Sequence, residues 1–339
     1  MKAFFSILLA TLTAIFNFFT TDGSIRQLID KGDISGYSET VKADKEFPTF
    51  QTDENGDFTI LQFADTHFTT GLSYSDISLM QTMKNQIEEY DPDLVVMLGD
   101  MINDGEAGAY NKQYVLDTVG TMFDELEQYW AYIPGNNDGL DYGTSEDIVA
   151  YLSQFDYCLC ADVEDISGGA QYTIDIKTGE TVVHSLVFLD TMDYDDEDDE
   201  HIYGYVHADQ VKWCEDAINE KLEKYADISM SVFIHENTPA FAEAGLYGEA
   251  YADGYSKLDE MEVKLDIPKN KPLDDVFANA GCIGLVSMGH AHPSENKCSF
   301  YNGKYYHVAA QTKTMGSLVT IHTSADSTRE MYDFESIAV

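Results

Sequence analysis

The chain has 339 residues, with 19 Lys+Arg against 61 Asp+Glu and a formal net charge of −42. Phosphate polymers are held by clustered Lys and Arg, so this balance excludes a nucleic-acid binder and disfavours adsorption to anionic membranes. With 44% hydrophobic and 12% aromatic residues there is apolar surface enough for a full core, which excludes a disordered chain.

Residues 1–21 open with Met1-Lys2 and then run uncharged from Ala3 to Thr21, as expected of a secretory signal peptide or an N-terminal anchor. Residues 22–50 are polar and carry Gly23, Gly32 and Gly36, which reads as a leader or surface segment. A single domain is expected over 51–339. Phe58–Phe63 reads as a strand, Asp76–Tyr90 as a helix and Leu94–Leu98 as a buried strand, a β-α-β unit. A helix over Tyr114–Tyr129 and a strand at Ala131–Ile133 continue the alternation.

Strands are expected at Tyr172–Ile176 and Val182–Leu189, a helix at Ala208–Tyr225 and a strand at Ser229–Ile234. Residues 239–272 read as an irregular insertion of lid or substrate-loop type, in which Tyr247, Tyr251 and Tyr255 either line a cleft or pack. Four further strands follow at Ile283–Met288, Tyr305–Ala309, Leu318–His322 and Met331–Ile337, with Asn302-Gly303 as a hairpin turn. The acidic run Asp193–Glu200 lacks a calcium-loop pattern and reads as a solvated loop. Cys158, Cys160, Cys214, Cys282 and Cys298 include no paired CxxC motifs. Cys282 and Cys298 could pair on export, but buried reduced thiols are the default expectation.

The chemistry-bearing residues fall at the ends of these strands, where an open α/β sheet places its ligands. Asp65-Thr66-His67 follows the first, Gly99-Asp100 the second and Gly135-Asn136-Asn137-Asp138 the third; His235 and Gly289-His290-Ala291-His292 follow two later ones. Asp, Asn and His all ligate borderline metals, and two-residue spacing lets an extended segment aim both donors to one side. Asp65, His67, Asp100, Asn136, His235, His290 and His292 exceed what one four-coordinate ion needs, so two ions sharing a carboxylate are expected. Two divalent ions against Asp65 and Asp100 leave a local charge of 4 − 2 = +2, which reconciles an acidic chain with an anionic substrate.

At these residues the sequence resembles the calcineurin-like metallophosphoesterases, over about residues 57–322. Phe188-Leu189-Asp190, with Gln210 three residues before Trp213, resembles the purple-acid-phosphatase-like branch. The resemblance implies a four-layer αββα sandwich of class α/β (α+β), with two mixed sheets flanked by helices. It also implies that Asp65, His67, Asp100 and His292 hold one metal, and Asp100, Asn136, His235 and His290 the other, with Asp100 bridging. The expected activity is hydrolysis of small phosphate esters, monoesters first and diesters as the alternative, by a metal-bound hydroxide, with Mn, Zn or Fe as the ions. Asp100, His235 and Asn137 are the expected catalytic group.

Two positions depart from the branch. Asn103 stands where a tyrosine would ligate iron and colour the protein, and Asn137 stands where a histidine would assist the leaving group. An amide donates a hydrogen bond to an oxyanion but gives up no proton near neutral pH, so esters with good leaving groups are expected, or a donor such as His201 or His207. His184, His307 and His322 read as structural. A catalytically weakened member that serves as a metal-binding or protein-docking module is the rival reading that Asn137 keeps open, and the expected location is extracellular, with membrane anchoring by the N-terminal segment as the alternative.

Overall fold

The computed structural model describes residues 34–41, 47–69, 73–103, 109–139, 143–195, 202–225, 227–251, 256–258 and 268–339. The signal or anchor segment, His201, Tyr255 and the acidic residues 196–200 lie outside them. Two sheets face each other, each built around parallel strands that bury both faces, which is why their sequences run continuously apolar. One sheet holds β2 (Asp57–Phe63), β3 (Leu94–Leu98), β4 (Trp130–Ile133) and β5 (Cys158–Leu159), with β15 (Met315–His322) and β16 (Tyr332–Ala338) antiparallel beside β2, in the order β16-β15-β2-β3-β4-β5.

The other has the order β1-β6-β7-β10-β12-β14-β13-β11. Its strands are β1 (Phe50–Gln51), β6 (Gln171–Thr178), β7 (Thr181–Leu189), β10 (Ser229–Phe233), β11 (Glu249–Ala250), β12 (Ile283–Met288), β13 (Lys297–Tyr301) and β14 (Lys304–Val308). A two-stranded ribbon of β8 (Tyr194–Asp195) and β9 (Ile202–Tyr203) stands apart. Among the described residues, three of the four edges of these two larger sheets are two-residue strands, β1, β5 and β11. The fourth, β16, alternates buried Tyr332, Phe334 and Ile337 with exposed Asp333 and Glu335.

The period-two alternation of β10 sorts the layers. Phe233 faces the neighbouring sheet, while Met230 and Val232 face the helices α4 (Ala208–Lys224), α5 (Pro239–Tyr247) and α6 (Lys271–Ala280). On the far side, α1 (Tyr74–Tyr90) buries Met80, Met83 and Ile87, and α2 (Ala109–Leu126) buries Val115, Leu116, Val119 and Phe123 at helical spacing. Two mixed sheets flanked by helices are thus the observed architecture. Between the sheets Phe188 stacks on Tyr172 at 4.7 Å and on Phe233 at 5.0 Å. Tyr172 Oη also donates to the Tyr132 carbonyl at 2.7 Å and accepts from its amide at 3.0 Å, tying one sheet to the other.

The structure departs from the sequence reading in definite places. Within residues 239–272 the described part holds α5, β11 and the start of α6, and each helix carries a proline at its N-terminal turn; residues 252–255 and 259–267 lie outside the described residues. Tyr251 packs, its ring against Tyr305 and Phe334 and its hydroxyl donating to Asp333, while Tyr247 is exposed. A helix α3 (Ser145–Leu152) and the strands β5 and β13 were not expected; α3 is only eight residues long and is buried nearly all round. Within the segment read as a leader, Ile34 is buried, and Gly36 and Ser38 donate to the Asp147 carboxylate on α3. A four-residue helix, α7 (Thr328–Met331), precedes β16. All five cysteines are outside disulfides. Asn302 and Gly303 take φ of 48° and 80°, the left-handed pair that a tight hairpin between β13 and β14 requires.

Candidate metal centre

Five parallel strands converge so that the residues after their C-terminal ends meet. The connecting turns are sharp. Asp65, His67, Asp100, His290 and His292 have φ of 52°, 46°, 49°, 64° and 49°, in the left-handed region that Asp and His tolerate better than other non-glycine residues. Strain of this kind, of order 1 kcal/mol or more per residue, persists where surrounding structure imposes it. Here the imposing contacts are backbone hydrogen bonds: Asp65 N donates to Gly99 O, His67 N to Asp100 O, and His290 N to both oxygens of Asp65 at 3.1 and 3.0 Å. Gly99, at φ 82°, also makes room for the His235 ring.

The first donor set is Asp65, His67, Asp100 and His292, whose ligand atoms all lie within 4.8 Å of one another. His67 Nε2 is 2.9 Å from His292 Nε2, His292 Nε2 3.0 Å from Asp65 Oδ1, and His67 Nε2 3.6 Å from Asp100 Oδ2. With metal–ligand bonds of about 2.1 Å, neighbouring donors of one ion sit roughly 3.0–3.4 Å apart, so these separations fit the edges of a coordination shell. The second set shares Asp100. His235 Nε2 is 3.4 Å from Asp100 Oδ1 and 3.2 Å from Asn136 Oδ1, and His290 Nδ1 is 2.8 Å from Asn136 Oδ1. All seven residues expected to ligate are therefore brought together, around one shared carboxylate.

The two sets differ in access. Asp100, Asn136, His235 and His290 are buried, whereas the His292 side chain is 41% exposed, so the cluster opens to solvent on the His292 side. His235 Nδ1 donates to the Leu98 carbonyl at 2.7 Å, which turns Nε2 toward the cluster. Burial alone would raise the Asp100 carboxyl, but the His235 and His67 imidazoles and the Asn137 amide hold it well below the usual carboxylate range. Burial would likewise depress His235, and the adjacent Asp100 carboxylate instead lifts it to about 10. Burial together with the His235 charge holds His290 down at about 3, a neutral imidazole of the kind that binds metal, and burial lowers His67.

Asn137 donates through its backbone N to Asp100 Oδ1 at 2.8 Å and through Nδ2 to Asp100 Oδ2 at 2.5 Å. His207 caps α4, with Nδ1 3.2 Å from Ser167 Oγ, and forms no part of the cluster. His184 and His307 lie between the sheets among serine hydroxyls, and His322 sits between Asp57 and Asp333 on β2 and β16.

Sequence reasoning assigned no role to three groups. Asp138 is fully buried and accepts from Ile102 N, Gly135 N and Tyr132 Oη, all at 2.9 Å, and burial pushes it up to about 6. Lys112, 2% exposed, donates to the Asp138 carbonyl at 2.8 Å. Glu236 is buried beside His235, and burial raises its carboxyl well above the ordinary value.

The fold resembles that of a dimetal phosphatase from Danio rerio, with a TM-score of 0.53 at 13% identity over 83% of this chain and 99% of that one. A protein of Arabidopsis thaliana named "Probable inactive purple acid phosphatase 28" is 26% identical over 277 residues, covering 71% of this chain and 67% of its own. Residues 58–307 match the calcineurin-like phosphoesterase family throughout the strands that carry the cluster. The chain belongs to the calcineurin-like phosphoesterases, on their purple-acid-phosphatase-like branch.

Proposed function

We propose that the protein hydrolyses small phosphate monoesters at a dinuclear metal site. The observation that carries this reading is that two donor sets, one with a second carboxylate and two imidazoles, the other with an amide and two imidazoles, share Asp100. Asp65, His67, Asp100 and His292 would hold one divalent ion, and Asp100, Asn136, His235 and His290 the other; Mn, Zn and Fe all suit this mixture of O and N donors. When bound, such ions supply Lewis acidity to the phosphoryl oxygens and lower the pKa of water. The chain's own part is to hold Asp100 between the sets, to fix the His235 ring through Leu98 O, and to leave the His292 side open to an anionic ester.

Nothing at position 137 gives a proton to the leaving group, which favours esters of acidic alcohols. The reading extends to an exported enzyme, on the strength of the apolar N-terminal segment. Among the described residues no helix is long and apolar enough to cross a membrane. A second reading, metal binding without turnover, is favoured by Asn137 and by the name of the Arabidopsis relative.

The test is to strip the protein with chelator, restore Mn, Zn or Fe singly, and measure bound metal and hydrolysis of an aryl phosphate monoester and diester. Two ions per chain and faster monoester hydrolysis are expected, with both lost in Asp100→Asn. Two ions without turnover would establish the binding reading, faster diester hydrolysis the diesterase, and an absence of stoichiometric metal would sink all three.

A further inference from the structure

Asp100 is the one carboxylate common to both donor sets, and its side chain is 2% exposed with its backbone at φ 49°. Both of its oxygens are held by one residue: Asn137 N donates to Oδ1 and Asn137 Nδ2 to Oδ2. We propose that Asn137 is a positioning residue, which fixes the Asp100 carboxylate for sharing between two ions, and not a group that touches the ester. This rests on the dinuclear reading above and assigns the altered position of the third motif a task of its own.

The loop that carries Asn137 is anchored as a clamp must be. Asp138 takes hydrogen bonds from Gly135 N and Tyr132 Oη on its own side and from Ile102 N, two residues past Asp100, on the other. Lys112 fixes the Asp138 carbonyl from α2. The two loops are thus clasped in both directions: Asn137 donates to the Asp100 side chain, and the Asp100–Ile102 segment donates to the Asp138 side chain. Each carboxylate oxygen has two lone pairs, so an oxygen bonded to the Asn137 amide keeps one for an ion. Outer partners of this kind typically change metal affinity by about 10–100-fold when removed.

The experiment compares wild type with Asn137→Ala and Asn137→Gln in the full chain. Calorimetric titration with Mn or Zn reads the affinity of each ion, and a series of aryl phosphates of graded leaving-group pKa reads the chemistry. Asn137→Ala is expected to weaken the weaker-held ion about tenfold. It should slow every ester by one common factor, with Asn137→Gln, which keeps the donor, falling between. Unchanged affinity for both ions in a folded Asn137→Ala protein overturns the proposal. So does slowing confined to poor leaving groups, which would place the amide on the ester. Should the wild type hydrolyse no ester, the catalytic reading fails while the metal titration still decides the role of Asn137.

Discussion

At the scale of single residues the site is held by conformations most side chains avoid, and small residues make them possible. A Cβ at Gly135 would run into Asp100 N and Oδ1 and come within 2.8 Å of His235 Nε2. Gly135→Ala is therefore expected to displace Asp100, lowering bound metal at least tenfold in elemental analysis while the sheets stay folded by circular dichroism. Full metal content in that variant would show that the loop can give way. These ligands were legible in the sequence because each is an Asp, Asn or His directly after an apolar run, the residue types that both bind metal and accept left-handed backbone. The roles of Asp138 and Lys112 were not, because the backbone groups that tie them to the rest of the site, Ile102 N and the Asp138 carbonyl, lie 36 and 26 residues away in the chain.

Among elements, the sheets are joined by a contact that alternation alone does not reveal. Tyr172 on β6 satisfies both backbone groups of Tyr132 on β4 in the neighbouring sheet. Tyr172→Phe leaves a buried amide and a buried carbonyl without that hydroxyl, at a cost of about 1–3 kcal/mol. The urea midpoint is expected to fall accordingly, and an unchanged midpoint would mean the groups find other partners. The apolar strands and long amphipathic helices were readable from period alone, whereas α3 was not. Its signature was local: Thr144 and Asp147 form a reciprocal cap at its start. Pro239 and Pro272 likewise mark helix starts within what reads as a loop, and Lys297–Tyr301 becomes a strand only once paired across the Asn302 turn.

For the molecule as a whole, the sandwich encloses titratable groups in neutral form. His184 and His307 are fully buried, and desolvation pushes each down to about 3. The unfolded chain takes up protons at these sites once the pH drops below about 6.5, so the stability gained by keeping them neutral is whole above that value. It is lost toward pH 3, by about 2 kcal/mol per histidine at pH 5. Asp190 and Asp274, raised by burial to about 6, act in the opposite sense, since the folded chain binds their protons first. They recover about 1 kcal/mol each at the same pH. Urea unfolding of His307→Gln should accordingly show its deficit against wild type shrinking by about 2 kcal/mol between pH 7 and pH 5. A deficit independent of pH would mean that His307 is not held neutral.

The borders of the two sheets bear on how copies of the chain meet at high concentration. Strands of two residues, as at β1, β5 and β11, offer too few unpaired amides to template an incoming strand. The longer β16 carries exposed Asp333 and Glu335, whose carboxylates oppose the approach of a second copy of the same border. Colloidal stability then rests on ionised carboxylates, and it should vanish as acid brings the chain to its isoelectric point of about 4.1, where the same border becomes the place at which aggregates start.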